Sequence, residues 1–165
     1  MAKIVVLLCI AGELAGELGS AAAEGAKGVR FAEVDVRTLG KAGIAANPAH
    51  QALASADPLR EYDAIIIVSV DREVPAELAA ALDAFERGLP RDGSPNTVFA
   101  VVGAHPELLL GRLVRLGGII VSKPGGTNSQ VDAGRATGAR VAQVADWVRH
   151  ALSHLQDHPV HHHQH

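Results

Sequence analysis

The chain has 165 residues, of which 48% are hydrophobic, and its formal net charge is −3 at pH 7. A chain of this length and apolar content is expected to form one globular domain with a sizeable core. The acidic balance argues against a nucleic-acid-binding protein, which usually shows an excess of basic residues. No apolar run reaches the roughly 18–20 residues that span a bilayer, so we expect no nucleic-acid partner and no membrane.

The single cysteine excludes an intramolecular disulfide and agrees with a reducing compartment. The apolar opening segment lacks a convincing basic region and a small-residue cleavage site, and it fits a first strand better than a signal peptide. These features predict a cytoplasmic protein.

Five apolar runs are predicted to be β-strands. Continuous runs such as residues 65–68 are typical of strands that helices cover on both faces, whereas the alternation in residues 31–37 indicates a more exposed strand. In chain order, the predicted strands are residues 4–9, 31–37, 63–70, 97–103 and 119–122.

Apolar residues at helical spacing predict helices after the first, third, fourth and fifth strands. The second of these helices follows Pro75 and the third follows Pro106, because proline fits the first turn of a helix. The last and longest covers residues 131–156. Residues 38–61 are predicted to form an irregular connection that contains a short helix near residues 48–54.

This alternation of strands and helices predicts a flavodoxin-like three-layer α/β/α sandwich, in which a five-stranded parallel sheet has the order 2-1-3-4-5. Residues 1–156 would form this single domain, and residues 157–165 a His-rich disordered tail. In such folds ligands bind outside the carboxyl ends of the strands, so the loops at residues 9–17, 69–77 and 103–107 should determine function.

Four stretches carry a family resemblance that covers most of the chain in order. They are MAKIVVLL at the start, AAAEGAKGVRFAEVDVRTL at 21–39, EYDAIIIVSV at 61–70 and GRATGARVAQVADWV at 134–148. These stretches resemble the WrbA-type NAD(P)H:quinone oxidoreductases, which are flavoproteins of the flavodoxin superfamily. The resemblance implies the flavodoxin-like fold, and most of the matching positions belong to the scaffold rather than to a ligand site.

The resemblance also implies where FMN would bind. In the family, the turn after the first strand holds the FMN phosphate with backbone N–H groups, a glycine and two hydroxyls. In this sequence the hydroxyl positions fall on Ile10 and Glu17, and the glycine position falls on Glu13. A carboxylate beside a phosphate repels it by roughly 1 kcal/mol in water and by several kcal/mol if desolvated.

The other two loops also lack features that bind FMN in the family. After the third strand the turn is acidic and has no aromatic residue to frame a flavin, and after the fourth strand the chain passes directly into a helix. We therefore interpret the FMN loops as vestigial and expect no bound cofactor. The positions concerned are Ile10, Ala11, Gly12, Glu13, Leu14, Ala15, Glu17, Ser69, Val70, Asp71, Arg72, Gly103, Ala104 and His105.

Two side chains near these loops have the chemistry of a catalytic group. His105, at the carboxyl end of a strand, is a candidate for acid–base chemistry, although the sequence shows no partner for it. Cys9 would be a thiol close to a helix N-terminus, but a single cysteine at a strand end is more typical of a small core residue.

Histidines are concentrated at the end of the chain. Imidazoles at spacing i, i+4 share one face of a helix and bind Zn²⁺, Ni²⁺ or Cu²⁺. The predicted metal ligands are His150, His154, His158, His161 and His163.

Three functions remain open from the sequence. The first is a flavin-free relative of the quinone reductases that serves as a binding, regulatory or assembly module, with an unidentified protein or small-molecule partner. The second is an FMN-dependent NAD(P)H:quinone oxidoreductase with weak or unusual flavin binding. The third is a metal-binding accessory protein that uses the His-rich tail. We also expect a homo-oligomer, with a dimer as the simplest form.

Overall fold

The computed structural model describes residues 1–9, 12–39, 51–53, 57–89, 96–121 and 129–157. Within these residues the strands are β1 (Ala2–Leu8), β2 (Ala32–Thr38), β3 (Gln51–Ala52), β4 (Ala64–Ser69), β5 (Val98–Gly103) and β6 (Ile119–Ile120). The helices are α1 (Glu13–Lys27), α2 (Ala76–Arg87), α3 (Glu107–Arg115) and α4 (Gln130–Asp157), with a 3-10 helix at Asp57–Glu61.

All strand pairs of the sheet are parallel, and the order across it is β3-β2-β1-β4-β5-β6. Without the two-residue edge strand β3, this is the predicted order 2-1-3-4-5, so the predicted topology is confirmed. The reversal of strand order beside β1 places the candidate ligand loops at the carboxyl edge of the sheet.

The prediction of a short helix near residues 48–54 is wrong where the structure describes that segment. Gln51 and Ala52 instead extend the sheet, with Gln51 opposite Arg37 and Ala52 opposite Thr38 of β2. The Leu53 amide also donates a hydrogen bond to the Thr38 carbonyl (2.9 Å). This pairing gives hydrogen-bond partners to backbone groups of β2 that would otherwise lie unpaired at the edge of the sheet. Helical propensity is a local property and does not report such a contact.

Two hydrophobic layers cover the sheet, as the three-layer prediction requires. Successive residues of β1 and β4 point to opposite faces because a strand has a side-chain period of two. One face packs against α1 and α4, and its largest buried side chains include Ile4, Leu18, Ile66 and Val141. The other packs against α2, α3 and the 3-10 helix, with Leu7, Leu59, Ile65, Leu78, Phe85, Phe99 and Leu113 in its core.

Helix α4 ends at Asp157, one residue beyond the predicted boundary, and the rest of the His-rich segment lies outside the described residues. In the described ranges no helix is long and apolar enough to cross a membrane.

Candidate functional site

The three loops predicted to determine function meet at the carboxyl edge of the sheet. Leu8 at the end of β1 lies opposite Val68 of β4, and Ser69 at the end of β4 lies opposite Gly103 of β5. The helices α1, α2 and α3 each begin within a few residues of these strand ends. Their N-termini, with their partial positive charge, therefore point toward one region.

The first loop leads from β1 into α1. Ile10 and Ala11 lie outside the described residues, so the backbone at the first predicted hydroxyl position is not described. Gly12 is extended and precedes the helix without any side-chain hydrogen bond to cap it. Glu13, Leu14 and Glu17 are exposed, whereas Ala15 is buried in the core.

The second loop follows β4 and carries charge on its surface. Ser69 is buried, Val70 is half-buried, and Asp71, Arg72 and Glu73 are exposed. The hydroxyl of Ser69 is therefore withdrawn from the surface that a ligand would reach.

The third loop begins with a glycine that the packing requires. Gly103 has a φ of +145°, and a Cβ atom on it would stand 1.7 Å from the carbonyl oxygen of Ser69. The end of β5 is consequently free of a side chain, and the exposed Ala104 follows it.

His105 has a partner that the sequence did not reveal. Its Nδ1 lies 3.2 Å from Oε1 of Glu107, the first residue of α3. The pKa of Glu107 is lowered, first by a hydrogen bond from its own backbone amide and then by His105. His105 thus contacts an exposed carboxylate in the first turn of α3. This contact orients its imidazole at the carboxyl edge of the sheet.

Carboxylates occupy the helix starts at this edge. The first turn of each described α-helix contains an acidic residue, as expected for a side chain that stabilises the positive end of a helix. These residues are Glu13, Glu77, Glu107 and Asp132. At α4, Ser129 completes a cap, because its hydroxyl accepts a hydrogen bond from the Asp132 amide (3.0 Å) and donates one to the Asp132 carboxylate (2.9 Å).

Cys9 lies just inside this edge as a core residue. Its side chain belongs to the layer packed against α2 and α3 and is 5% exposed. Burial, together with the negative charge of Glu77, raises the pKa of the thiol to about 12. A nucleophilic cysteine needs the opposite shift, so Cys9 is not suited to be a reactive thiol.

Thr38, at the carboxyl end of β2, was not among the predicted site residues. Its side chain is 2% exposed, and in the described part of the chain its Oγ1 has no hydrogen-bond partner. A buried hydroxyl without a partner is uncommon and costs stability. The only signal in the sequence was a polar residue that ends a strand on the same face as Val34 and Val36.

A shallow groove of about 480 Å³ lies beside this edge, between α1 and α4. Glu17 and Glu24 of α1 and Arg135 of α4 line it, and the Arg135 guanidinium is 3.0 Å from the Glu24 carboxylate. The groove is therefore acidic at its Glu17 end and neutralised at its Glu24 end.

The predicted metal ligands are only partly described. His150 and His154 lie on one exposed face of α4 with their Nε2 atoms 3.0 Å apart, whereas His158, His161 and His163 lie outside the described residues. Among the residues that the structure describes, no group of three or more His, Cys, Asp or Glu side chains is placed to hold a metal ion.

No protein-family model matches the chain, and no curated protein matches it. Solved structures do match. A flavodoxin-like domain from Synechococcus sp. is 15% identical with a TM-score of 0.56, over 90% of this chain and 99% of that one. The fold is flavodoxin-like.

Two further solved structures share the flavodoxin-like fold. Diflavin flavoprotein A3 from Nostoc sp. is 19% identical with a TM-score of 0.60, over 93% of this chain and 97% of that one. Rubredoxin oxygen:oxidoreductase from Desulfovibrio gigas is 12% identical with a TM-score of 0.62, over 89% of this chain. The match spans 37% of that larger protein, so the likeness is to one of its parts.

Proposed function

We propose that the protein is a flavodoxin-like binding module, related to the WrbA-type quinone oxidoreductases, that does not use FMN. The observation that carries this proposal is the acidic residue in the first turn of each described α-helix at the carboxyl edge. In flavodoxin-like folds this edge is the ligand site, and an anion would bind there at a helix N-terminus.

The start of α1 is the position at which the family resemblance places the FMN phosphate. Glu13 and Glu17 are exposed there, one helical turn apart. Each would repel a nearby phosphate by about 1 kcal/mol in water and by more once the site is closed from solvent. Their charges already stabilise the positive helix end that a phosphate would use.

The remaining described FMN positions supply little to offset this repulsion. Ser69 is the one hydroxyl among them, and it is 2% exposed. Arg72 is a possible cationic contact, but it stands between the exposed carboxylates Asp71 and Glu73. The described residues are therefore a poor fit to a dianionic phosphate and a better fit to a ligand or a protein surface that carries positive charge.

One observation favours the alternative, an FMN-dependent NAD(P)H:quinone oxidoreductase. Gly103 is half-buried and the following Ala104 is exposed, so backbone groups at the end of β5 can be reached from solvent. In that case FMN would supply hydride transfer, and the backbone near Gly103 and Ala104 would position its ring.

An FMN titration distinguishes the two functions. The purified protein should be colourless, and FMN fluorescence should show no saturable quenching up to about 1 mM, because repulsion by Glu13 and Glu17 opposes binding. A dissociation constant in the micromolar range, with yellow colour and NAD(P)H-dependent quinone reduction, would overturn the proposal in favour of the reductase.

Charge variants test whether repulsion by Glu13 and Glu17 is what opposes FMN binding. The double variant Glu13→Gln/Glu17→Gln should bind FMN at least about tenfold more tightly than the unaltered protein, since two repulsive charges are removed. The matched control Glu33→Gln/Glu61→Gln removes two exposed charges near the opposite edge of the sheet and should leave FMN affinity unchanged. Equal effects of the two double variants would show that net charge, rather than the helix start, opposes the flavin.

A further inference from the structure

We propose that His150 and His154 form an open, two-ligand site for a divalent transition-metal ion, with Cu²⁺ and Ni²⁺ as the best-fitting ions. The site lies on α4, away from the carboxyl edge, and it does not depend on the function proposed above. The two imidazole rings stand edge to face with their centroids 4.5 Å apart. Both side chains are exposed, so an ion reaches them directly from solvent.

The distance between the two Nε2 atoms selects the geometry. They are 3.0 Å apart, and a metal ion would bind both once each Nε2 atom is free of hydrogen. Imidazole nitrogens bind first-row metal ions at about 2.0–2.1 Å, which gives an N···N separation of about 2.8–3.0 Å for ligands at a right angle and about 3.3–3.4 Å for tetrahedral ones. The observed separation is that of neighbouring ligands in square-planar or octahedral coordination.

This geometry favours particular ions. Square-planar or tetragonal sites with nitrogen ligands are typical of Cu²⁺ and Ni²⁺, and Cu²⁺ binds most tightly in the general order of divalent metals. Tetrahedral Zn²⁺ would require the two Nε2 atoms to move apart by a few tenths of an ångström. The predicted order of affinity is therefore Cu²⁺, then Ni²⁺ or Zn²⁺, with hard ions such as Mg²⁺ not bound.

The backbone holds the two ligands in place. Residues at i and i+4 are neighbours on one face of a helix, and the fixed helix reduces the freedom that each imidazole loses on binding. His154 is also in the last turn of α4, where the negative end of the helix favours a cation. No third His, Cys, Asp or Glu joins the pair in the described residues, so water or an external ligand would complete the coordination.

The test must separate this pair from the other histidines. The chain has nine, so the full-length protein would first be changed at five positions, namely His158, His161, His162, His163 and His165, each to Gln. In this background, isothermal titration with CuCl₂ should show one ion bound, and electron paramagnetic resonance should show two imidazole nitrogens on it. Circular dichroism confirms that each variant remains folded.

Single substitutions in that background decide the proposal. His150→Gln and His154→Gln should each weaken Cu²⁺ binding by about tenfold or more, because the second ligand no longer benefits from being held beside the first. The control His105→Gln removes a histidine that pairs with Glu107 and should change the affinity by less than about twofold.

A spacing control keeps the number of histidines constant. His154→Gln/Gln156→His places the second imidazole on another side of the helix, and it should bind as weakly as His154→Gln. Restored affinity in this variant would overturn the geometric argument. The absence of one-to-one Cu²⁺ binding in the background protein, or losses of less than about twofold in both His150→Gln and His154→Gln, would overturn the site itself.

Discussion

Gly138 of α4 lies against the backbone of Ala22 in α1, and a Cβ atom on Gly138 would stand 2.0 Å from the Ala22 carbonyl oxygen. About one turn away, the two helices exchange roles. There a Cβ on Gly25 of α1 would stand 1.9 Å from the Arg135 carbonyl oxygen of α4. The two helices therefore approach each other at glycine positions. This close contact forms the helical layer whose α1 end carries Glu13 and Glu17.

Gly138→Ala is expected to destabilise the protein by about 2–3 kcal/mol, because the added methyl group forces two helix backbones apart in a packed layer. Urea unfolding followed by circular dichroism measures the change. The control is Gly16→Ala in α1, where a Cβ meets nothing within 4 Å. That substitution should stabilise the protein by about 0.5–1 kcal/mol through helix propensity. Equal stabilities of the two variants would contradict the close approach of α1 and α4.

Thr38→Val is expected to stabilise the protein by about 1 kcal/mol, because it removes a buried hydroxyl that has no partner in the described residues and keeps the same shape. The matched control is Thr137→Val. Thr137 is buried to the same extent, at 2% exposure, but its hydroxyl donates a hydrogen bond to the Ala133 carbonyl (2.7 Å). The control substitution should lower the free energy of unfolding by about 0.5–1.5 kcal/mol. A loss of stability in Thr38→Val would show that the hydroxyl has a partner after all.

The scaffold was predictable because its signals are local. Continuous apolar runs such as Ile65–Val68 identify the central strands, and helical spacing identifies the four α-helices that the described residues contain. Their alternation predicts a parallel sheet, and the usual strand order of such folds supplies the topology. The strand at Gln51–Ala52 was missed because it exists only by pairing with β2, a contact between segments separated in sequence.

The candidate site was predictable in its position but not in its contacts. The rule that ligands bind at the carboxyl ends of strands points to this edge of the sheet, and the structure brings the three predicted loops together there. The partnership of His105 with Glu107, the burial of Ser69 and the unpartnered hydroxyl of Thr38 all depend on side-chain directions that no local pattern encodes. The FMN hypothesis and the metal hypothesis both stay predictions, as do the dimer and the cytoplasmic location.

Tyr62 should titrate above the ordinary tyrosine value of about 10. Its pKa is raised first by burial and then by the hydrogen bond that its hydroxyl donates to the Asp35 carboxylate (2.7 Å), with Arg37 acting in the opposite direction. It is the single tyrosine of the chain, so the ultraviolet absorbance of tyrosinate reports it alone. The midpoint should lie above that of the same protein unfolded in urea.

The raised pKa of Tyr62 also determines how folding stability changes with pH. A group whose pKa is raised on folding contributes stability that is fully present below its unfolded pKa and is lost as the pH rises through its folded pKa. Asp35→Asn should move the Tyr62 midpoint down toward the unfolded value, while the burial contribution remains. Asp146→Asn, on α4, is the control and should leave the midpoint in place. A Tyr62 midpoint that is unchanged in Asp35→Asn would refute the Tyr62–Asp35 contact.

Cys9 should be close to inert in the folded protein. At pH 8, a thiol with a pKa of about 12 is ionised roughly 10³-fold less than an ordinary cysteine, and the thiolate is the form that reacts. As the chain has one cysteine, Ellman's reagent should label it on the order of 10³-fold more slowly than a free thiol, and urea should restore a normal rate. Glu77→Gln removes the smaller cause of the shift and leaves burial, so labelling should remain slow. Labelling of the folded protein at the rate of a free thiol would contradict the buried position of Cys9 and would reopen the carboxyl edge as a site of thiol chemistry.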